Sequence, residues 1–525
     1  MRTASAIVLL CVSITASLAA QATGAITGLA TDTSGGAMPG VTIEITSRDT
    51  GQVRTAVTGV DGFYTVPLVN PGVYQVKATL SGFRTTVRDN VIVTVNESVR
   101  ADVAMQVGQL EEQVTVLGQS PLVETTNATL GVVIDRQKVV DLPLNGRNFA
   151  QLGTLIPGVV APPPALGAAF GQEGNATPGG FGNVTGGFNV NGQRNQSNNF
   201  LLDGATNNDS FNTGFVLRPP PDAIQEFKIL THSYDAEYGR NAGSVVNVVT
   251  KSGTNGWHGG AWEFNRDDSL QSKNFFATAK PELKQNQYGG ALGGALVRNR
   301  LFMFSYFEGF QNKQGVTDTR TVLSAAQRNG DFSGGAAIRD PLTGQPFANN
   351  IIPQDRIHPI SRRILDQYIP APNSTLNRSV RSPNVEDSRQ QFGTRLDYQL
   401  NQKHSLLGRY MIGHTHNVNP LGGSNFSPAG NTAIATLQDL MGSDTWMLKP
   451  TMINVARASM NRISAKPTVT SGLDLRDLGF QMTPSNPTAA GLPFITVTGF
   501  FTTGDAQQPF ATRENNVFSL TDDLS

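Results

Sequence analysis

Two scales of alternation divide this chain. Between Gly24 and Val107, apolar and polar residues alternate in short runs, and each run ends in a turn signal. Val41, Ile43 and Ile45 alternate with Thr42 and Glu44, a pattern that buries one face of a strand. Ser34-Gly35-Gly36, Pro39-Gly40, Asp61-Gly62 and Pro71-Gly72 turn the chain between runs. The runs Ala25–Ala30, Phe63–Val66, Val73–Val76, Val87–Val95 and Val99–Met105 complete a set of about seven strands, the spacing of a β-sandwich. From Gly256 onward the alternating segments lengthen, as in strands that cross a membrane.

In those longer segments the two sets of positions differ in kind. Tyr288, Leu292 and Leu296 are expected to face lipid, with Gln287, Gly289, Ala291, Gly293 and Ala295 facing a lumen. Phe392, Leu396, Tyr398 and Leu400 form an apolar set against Gln391, Gly393, Arg395, Asp397 and Gln399. Leu301–Phe310 is an aromatic strand suited to the membrane interface. Asn401-Gln402-Lys403 is a short turn of the periplasmic kind, whereas Asn312–Ser388 is a long Pro- and Asn-rich connection of the extracellular kind. That asymmetry is a barrel signature. Asn515–Ser525 is again a strand pattern.

Composition narrows the choices. The 55 glycines and 29 prolines among 525 residues favour turns and argue against a helical protein. Lys+Arg and Asp+Glu both number 40, so nothing in the charge points to nucleic acid. The first 22 residues read as a secretory signal, with Arg2, an apolar run from Ala6 to Leu18, and Ala20-Gln21-Ala22 as the cleavage site. The single cysteine, Cys11, lies in that signal, so the mature chain is expected to have no disulfide and no thiolate metal site.

Ordered motifs then carry a resemblance. Pro39-Gly40-Val41, Asp61-Gly62-Phe63-Tyr64, Pro71-Gly72-Val73-Tyr74 and Ser81-Gly82-Phe83 resemble the carboxypeptidase-regulatory-like domain, a non-catalytic sandwich. Asp141–Phe149, Leu155–Val159, Phe188–Arg194, Asn199–Gly204, Asp222–Phe227 and Tyr238–Asn255 look like the plug of TonB-dependent receptors, in the Oar-like branch that carries an N-terminal sandwich. The fold class expected is mainly β: an N-terminal β-sandwich, an α+β plug, then part of a transmembrane antiparallel β-barrel. The divisions expected are a signal peptide over 1–22, the sandwich over 23–107, a linker over 108–120, the plug over 121–255 and barrel strands over 256–525. About eight barrel strands are legible, whereas plugged transporters have ~22, so the chain is expected to be the N-terminal part of a larger protein.

The linker segment Glu112, Gln113, Val114, Thr115 and Val116 resembles the TonB box. An extended, β-prone segment able to add to a partner's sheet edge suffices for that role. A further strand of the sandwich or plug is the plainer reading of the same residues. Within the plug, Asp222–Phe227 is expected to begin a short helix, with Ile224 and Phe227 on one face, and Val245–Val249 to form a buried strand. Gly167–Gly187 reads as a mobile apical loop, since it lacks the phosphate-loop pattern. Arg194, Asp203, Glu226 and Arg240 are read as charges that pair with the barrel wall rather than with cargo.

The resemblance implies outer-membrane active import of an unidentified substrate, driven by a TonB-like periplasmic partner. The barrel would meet outer-membrane lipid and an unknown extracellular ligand, with the N-terminal domain in the periplasm of a Gram-negative-type bacterium. The alternative is a surface-displayed adhesion or binding protein that imports nothing. No catalytic residue, cofactor or metal site is assigned: no H-x-x-E or H-E-x-x-H pair occurs, and no nucleophile motif stands out. His414-x-His416 lacks a third ligand. Trp257, Trp262 and Trp446 are read as interfacial belt residues.

Overall fold

The computed structural model describes residues 23–108, 113–117, 130–160, 188–209, 214–234, 238–239, 241–273, 280–421, 426, 428, 430–449, 452–468, 471–482, 485, 491–505 and 513–524. The signal-like segment with Cys11, Glu112, Arg240 and the glycine-rich stretch 167–187 lie outside the described residues.

The first body is a sandwich of two sheets. One carries Phe63–Val69, Gly24–Asp32, Ser98–Arg100 and Val103–Met105. The other runs in the order Val53–Val57, Thr42–Ser47, Gly72–Thr79, Thr85–Val93 and Gln113–Leu117. The alternation seen in the sequence is the packing itself: Ile43, Ile45, Val76, Val91 and Ile26 fill one apolar core between the sheets. The last strand of the second sheet, Gln113–Leu117, pairs in parallel with Thr85–Asp89, Val114 opposite Thr86 and Val116 opposite Arg88. The described part of the TonB-box-like segment is therefore an edge strand of the sandwich.

The second body is a five-stranded sheet in the order Leu130–Asp135, Ile224–His232, Val245–Thr250, Asn199–Leu202 and Ala205–Thr206. Val245–Thr250 is central and buried along its whole length. Asp222–Phe227 does not form the expected helix; a 3-10 turn over Pro221–Ala223 leads into the strand Ile224–His232. The register against Val245–Thr250 slips between Ile224 and Glu226. That bulge at Gln225 brings Ile224 and Phe227 into the same apolar core, so an i, i+3 pattern arises without a helix. Phe149 meets Phe215 and Phe227 at ring-centroid distances of 5.7 and 5.3 Å in that core.

The third body is an antiparallel meander of eight strands: His258–Asp267, Leu283–Val297, Leu301–Gly315, Asn384–Gln399, His404–Asn419, Asn431–Lys449, Met452–Thr468 and Arg513–Leu524. The first and last of these do not pair with each other among the described residues, so the sheet is open. Short connections at 298–300 and 400–403 mark one rim, and the long connections 316–383 and 469–512 leave from the other.

The plug sits against the concave face of this wall, and its core continues into the wall. Phe304, Tyr306, Met411, Leu437 and Ile463 of the wall belong to the same apolar cluster as Phe149, Phe200 and Phe227 of the plug. This corrects the reading of Leu301–Phe310 as an interface strand. Phe302, Phe304, Tyr306 and Phe310 point inward and are buried, and Phe307 is the aromatic that faces out. The expected lipid face is otherwise as read: Leu292, Leu296, Phe392 and Leu396 are exposed, while Gln287 and Arg395 are buried against the plug.

Candidate functional site

The residues with functional potential meet at the junctions of plug with wall and of plug with sandwich. The first junction starts from a turn. Asp203 and Gly204 link Asn199–Leu202 to Ala205–Thr206 and both have positive φ, 48° and 78°. Two central residues with positive φ define the tight hairpin for which Asp-Gly is suited. The turn points the Asp203 carboxylate into the wall.

There it meets two arginines. Arg395 Nη1 donates to Asp203 Oδ1 at 3.1 Å, and Arg409 Nη1 donates to Oδ2 at 2.5 Å. Within the plug, Thr250 N and Oγ1 each donate to the same carboxylate at 2.8 Å. Each arginine has a second acid in the wall: Asp397 for Arg395 at 2.8 Å, Asp439 for Arg409 at 2.6 Å. Burial alone would push the Asp203 carboxyl up, but Arg395 and Arg409 outweigh it and hold the carboxyl below its ordinary range. Backbone groups complete the clamp. Arg395 donates to the Thr250 carbonyl at 2.8 Å, Arg409 to that of Leu202 at 2.8 Å and Arg457 to that of Gly204 at 3.2 Å.

A second plug–wall contact lies nearer the rim of long connections. Arg147 follows Gly146 in the loop after Asp141–Leu144 and forms ion pairs with Asp222 and, at 3.5 Å, with Glu308 of the wall. Its guanidinium stands over the rings of Phe264 at 4.7 Å and Trp262 at 5.3 Å. Trp262 Nε1 donates to Glu308 at 3.3 Å. Trp262 therefore faces the plug, which corrects its reading as a belt residue; Trp257 and Trp446 are exposed. Above this contact a cavity of ≈ 100 Å³ opens between Arg147, Arg218, Phe310, Arg389 and Gln391. Arg389 lies over Phe310 at 5.4 Å and is held by Asp387.

The third junction joins the plug to the sandwich. The backbone N–H of Val95 donates to Glu226, and the side-chain amide of Asn96 donates to the Tyr238 hydroxyl. Lys228 Nζ donates to the Asn96 carbonyl at 2.7 Å, and Asn247 Nδ2 to Asn96 Oδ1 at 2.8 Å. Asn96 adopts a φ of 53°, which an asparagine tolerates. Burial pushes the Glu226 carboxyl up to about 7, Glu97 and Asp135 adding to the rise while the Val95 N–H and Lys228 oppose it. Burial likewise brings Lys251, which donates to the Asp222 carbonyl at 2.5 Å, down to about 8.

Of the plug charges singled out in the sequence, Asp203 pairs with the wall as expected. Glu226 instead binds the sandwich, and Arg194 is exposed. Arg409 and Asp439 were not singled out, although each is an isolated charge at an inward position of an alternating strand. His414 and His416 are exposed, His414 at 3.1 Å from Thr436 Oγ1, and no cluster of three metal-ligating side chains occurs among the described residues.

Three family models match in the order of the three bodies. The carboxypeptidase regulatory-like domain matches residues 25–106, the TonB-dependent receptor plug domain 121–246, and the outer membrane beta barrel domain 249–525. The last covers more than half of the chain.

The chain belongs to the outer-membrane β-barrel family.

Its module order is that of an Oar-like TonB-dependent receptor, and the family places the eight-stranded wall in the outer membrane. The TonB-dependent transporter Oar of Myxococcus xanthus is 26% identical over 287 residues, covering 51% of this chain and 25% of the relative. The chain thus spans about a quarter of that relative's length. Among solved structures, a mutant ferric enterobactin receptor from Pseudomonas aeruginosa aligns at 12% identity and a TM-score of 0.41, over 75% of this chain and 45% of the other. A siderophore receptor from Acinetobacter baumannii aligns at 17% identity and a TM-score of 0.38, over 66% and 42%.

Proposed function

We propose that this chain serves outer-membrane, TonB-dependent import of an extracellular ligand through a plugged barrel. The observation that carries this reading is the way the plug is held. A folded sheet is anchored to the wall at Asp203 and Arg147 by reversible ion pairs and hydrogen bonds. A plug fixed in this way can be moved by a pull from the periplasmic side and can return.

In this reading the sandwich spans 23–107, the linker 108–120, the plug 121–255 and the barrel portion 256–525. The pull is delivered by a TonB-like periplasmic protein through Glu112, Gln113, Val114, Thr115 and Val116. Strand addition is the mechanism that suits an extended segment at a sheet edge. The ligand binds on the outer side, where Arg147, Arg218 and Arg389 surround the cavity. The chain carries out no covalent chemistry; the machinery described is made of contacts that form and break.

A second reading has its own support. The long connections pack on one another around Val322, Ile369, Phe426 and Phe501, and around Ile364, Leu478 and Leu492. An ordered outer cap of this kind also suits surface display without import.

One experiment separates the two. A chain lacking residues 112–116 is compared with the parent for surface binding and for energy-dependent accumulation of the compound it binds. Import predicts binding kept and accumulation lost. Unchanged accumulation refutes import driven through this segment. A Thr115→Cys chain supports a crosslinking arm, because Cys11 is the only native cysteine. Import predicts a disulfide adduct with a TonB-like protein carrying a matching cysteine.

A further inference from the structure

The rim of short connections bears a charge pattern that neither the plug nor the transport reading uses. A cleft of ≈ 880 Å³ lies between the sandwich edge at Gly51–Thr55 and the three wall connections at 298–300, 399–403 and 447–449. Its lining contains Arg54, Arg298, Arg300, Lys403 and Lys449, and no carboxylate.

Arg54 is tied inward, donating to the Pro67 and Leu68 carbonyls at 2.9 Å each. Arg300 reaches across to the neighbouring connection, donating to the Leu400 carbonyl at 3.0 Å, with Tyr398 5.8 Å beneath its guanidinium. Arg298, Lys403 and Lys449 are exposed, and none has an acidic partner among the described residues. Asp444, on the outward face of the same wall, is engaged by His404 at 2.9 Å.

Immediately above these cations the wall turns apolar on its outward face. Leu296, Val297, Leu400 and Trp446 are all exposed there, and Trp446 stacks on His404 with ring centroids 5.3 Å apart. Cations below an aromatic and aliphatic band match the boundary between headgroup and acyl chain. The sandwich closes the cleft from the periplasmic side, turning an open rim into a site with a floor.

We infer that this cleft binds the phosphate of an anionic phospholipid in the inner leaflet of the outer membrane. The phosphate would lie among Arg298, Lys403 and Lys449, with its acyl chains along Leu400 and Trp446. The bound lipid would bridge the wall rim to the sandwich edge.

The test uses the whole chain purified in mild detergent and transferred to bilayer discs. Discs contain phosphatidylcholine alone or with phosphatidylglycerol, and lipid retention is read by native mass spectrometry. Phosphatidylglycerol is expected to be retained over phosphatidylcholine. The triple variant Arg298→Gln, Lys403→Gln, Lys449→Gln is expected to weaken retention about a hundredfold, at roughly 1 kcal/mol for each cation near the surface. A control removing cations at the opposite rim, Lys284→Gln with Lys313→Gln, is expected to leave retention unchanged. Should the triple variant misfold, Lys449→Gln alone is expected to lower retention about fivefold.

Equal retention by parent and variant overturns the inference. Protection by millimolar inorganic phosphate with no lipid preference would reassign the site to a free anion. Equal capture of a polyglutamate peptide would reassign it to an acidic protein segment.

Discussion

Arg395 and Arg409 lie directly opposite each other on neighbouring strands of the wall, and the carboxylate of Asp203 lies between them. Like charges in that relation repel. Here the repulsion is turned into a socket: each cation has an acid of its own in the wall, Asp397 or Asp439, and the plug carboxylate in the gap is shared by both.

Asp203→Ala is therefore expected to cost about 3–5 kcal/mol, because it leaves buried cations short of a partner. It also removes the acceptor for Thr250 N and Oγ1. The urea midpoint of plug unfolding and protease sensitivity near Gly204 check this. Asp203→Asn keeps the shape but not the charge, and should fall between parent and alanine variant.

Contact between plug and sandwich should depend on pH through Glu226. Its carboxyl is raised to about 7 when docked, against an ordinary value of 4.5. The docked state thus holds the proton more tightly than the separated state, so docking is favoured at low pH. That stabilisation fades as pH rises from about 4.5 to 7, by roughly 3 kcal/mol at most. Protection of the Val95 amide, measured against its intrinsic exchange rate at each pH, should be greater at pH 5.5 than at pH 8. Glu226→Gln should remove most of that difference and raise protection at pH 8.

Gly393 sits beneath the ring of Tyr306, and a Cβ there would lie 2.4 Å from Tyr306 Cε1. Since Tyr306 is packed into the plug core, Gly393→Val should destabilise by about 1–3 kcal/mol. Gly408, where a Cβ meets nothing within 4 Å, supplies the control, and Gly408→Ala should be near neutral. Paired thermal melts decide it.

The pairing of Gln113–Leu117 with Thr85–Asp89 predicts slowed amide exchange along that edge. Removal of residues 113–117 should raise exchange in Thr85–Asp89 while leaving Gly72–Thr79, which is paired on both sides, unchanged. Equal exchange before and after the deletion would contradict the pairing.

Much of this architecture was legible in the sequence because alternation survives whatever surrounds a strand. Val41, Ile43 and Ile45 revealed their buried face directly. What alternation leaves open is the identity of each face. Phe302, Phe304 and Tyr306 read as membrane-facing because they are aromatic, yet the lumen here is filled by an apolar plug. Trp262 misled for a related reason: the ring serves Arg147 rather than lipid. Ile224 and Phe227 imitated a helix because the bulge at Gln225 shifts a period of two by one residue. Asp203 was visible as a charge in need of a partner, but its arginines lie almost two hundred residues further along the chain or more, 192 and 206 residues away.

The contacts made by Asn96 bear on the order of assembly. Its bonds to Lys228 and Asn247 close loops of 132 and 151 residues. Such distant pairings form late, since the chain between must be ordered first. The sandwich precedes the plug in the chain and has an apolar core of its own, so it can form before the plug sheet does. It then waits as a clasp that fastens only when Ile224–His232 and Val245–Thr250 have come together. A plug strand out of register would present the wrong face to Asn96, so the clasp also proofreads the sheet it closes on.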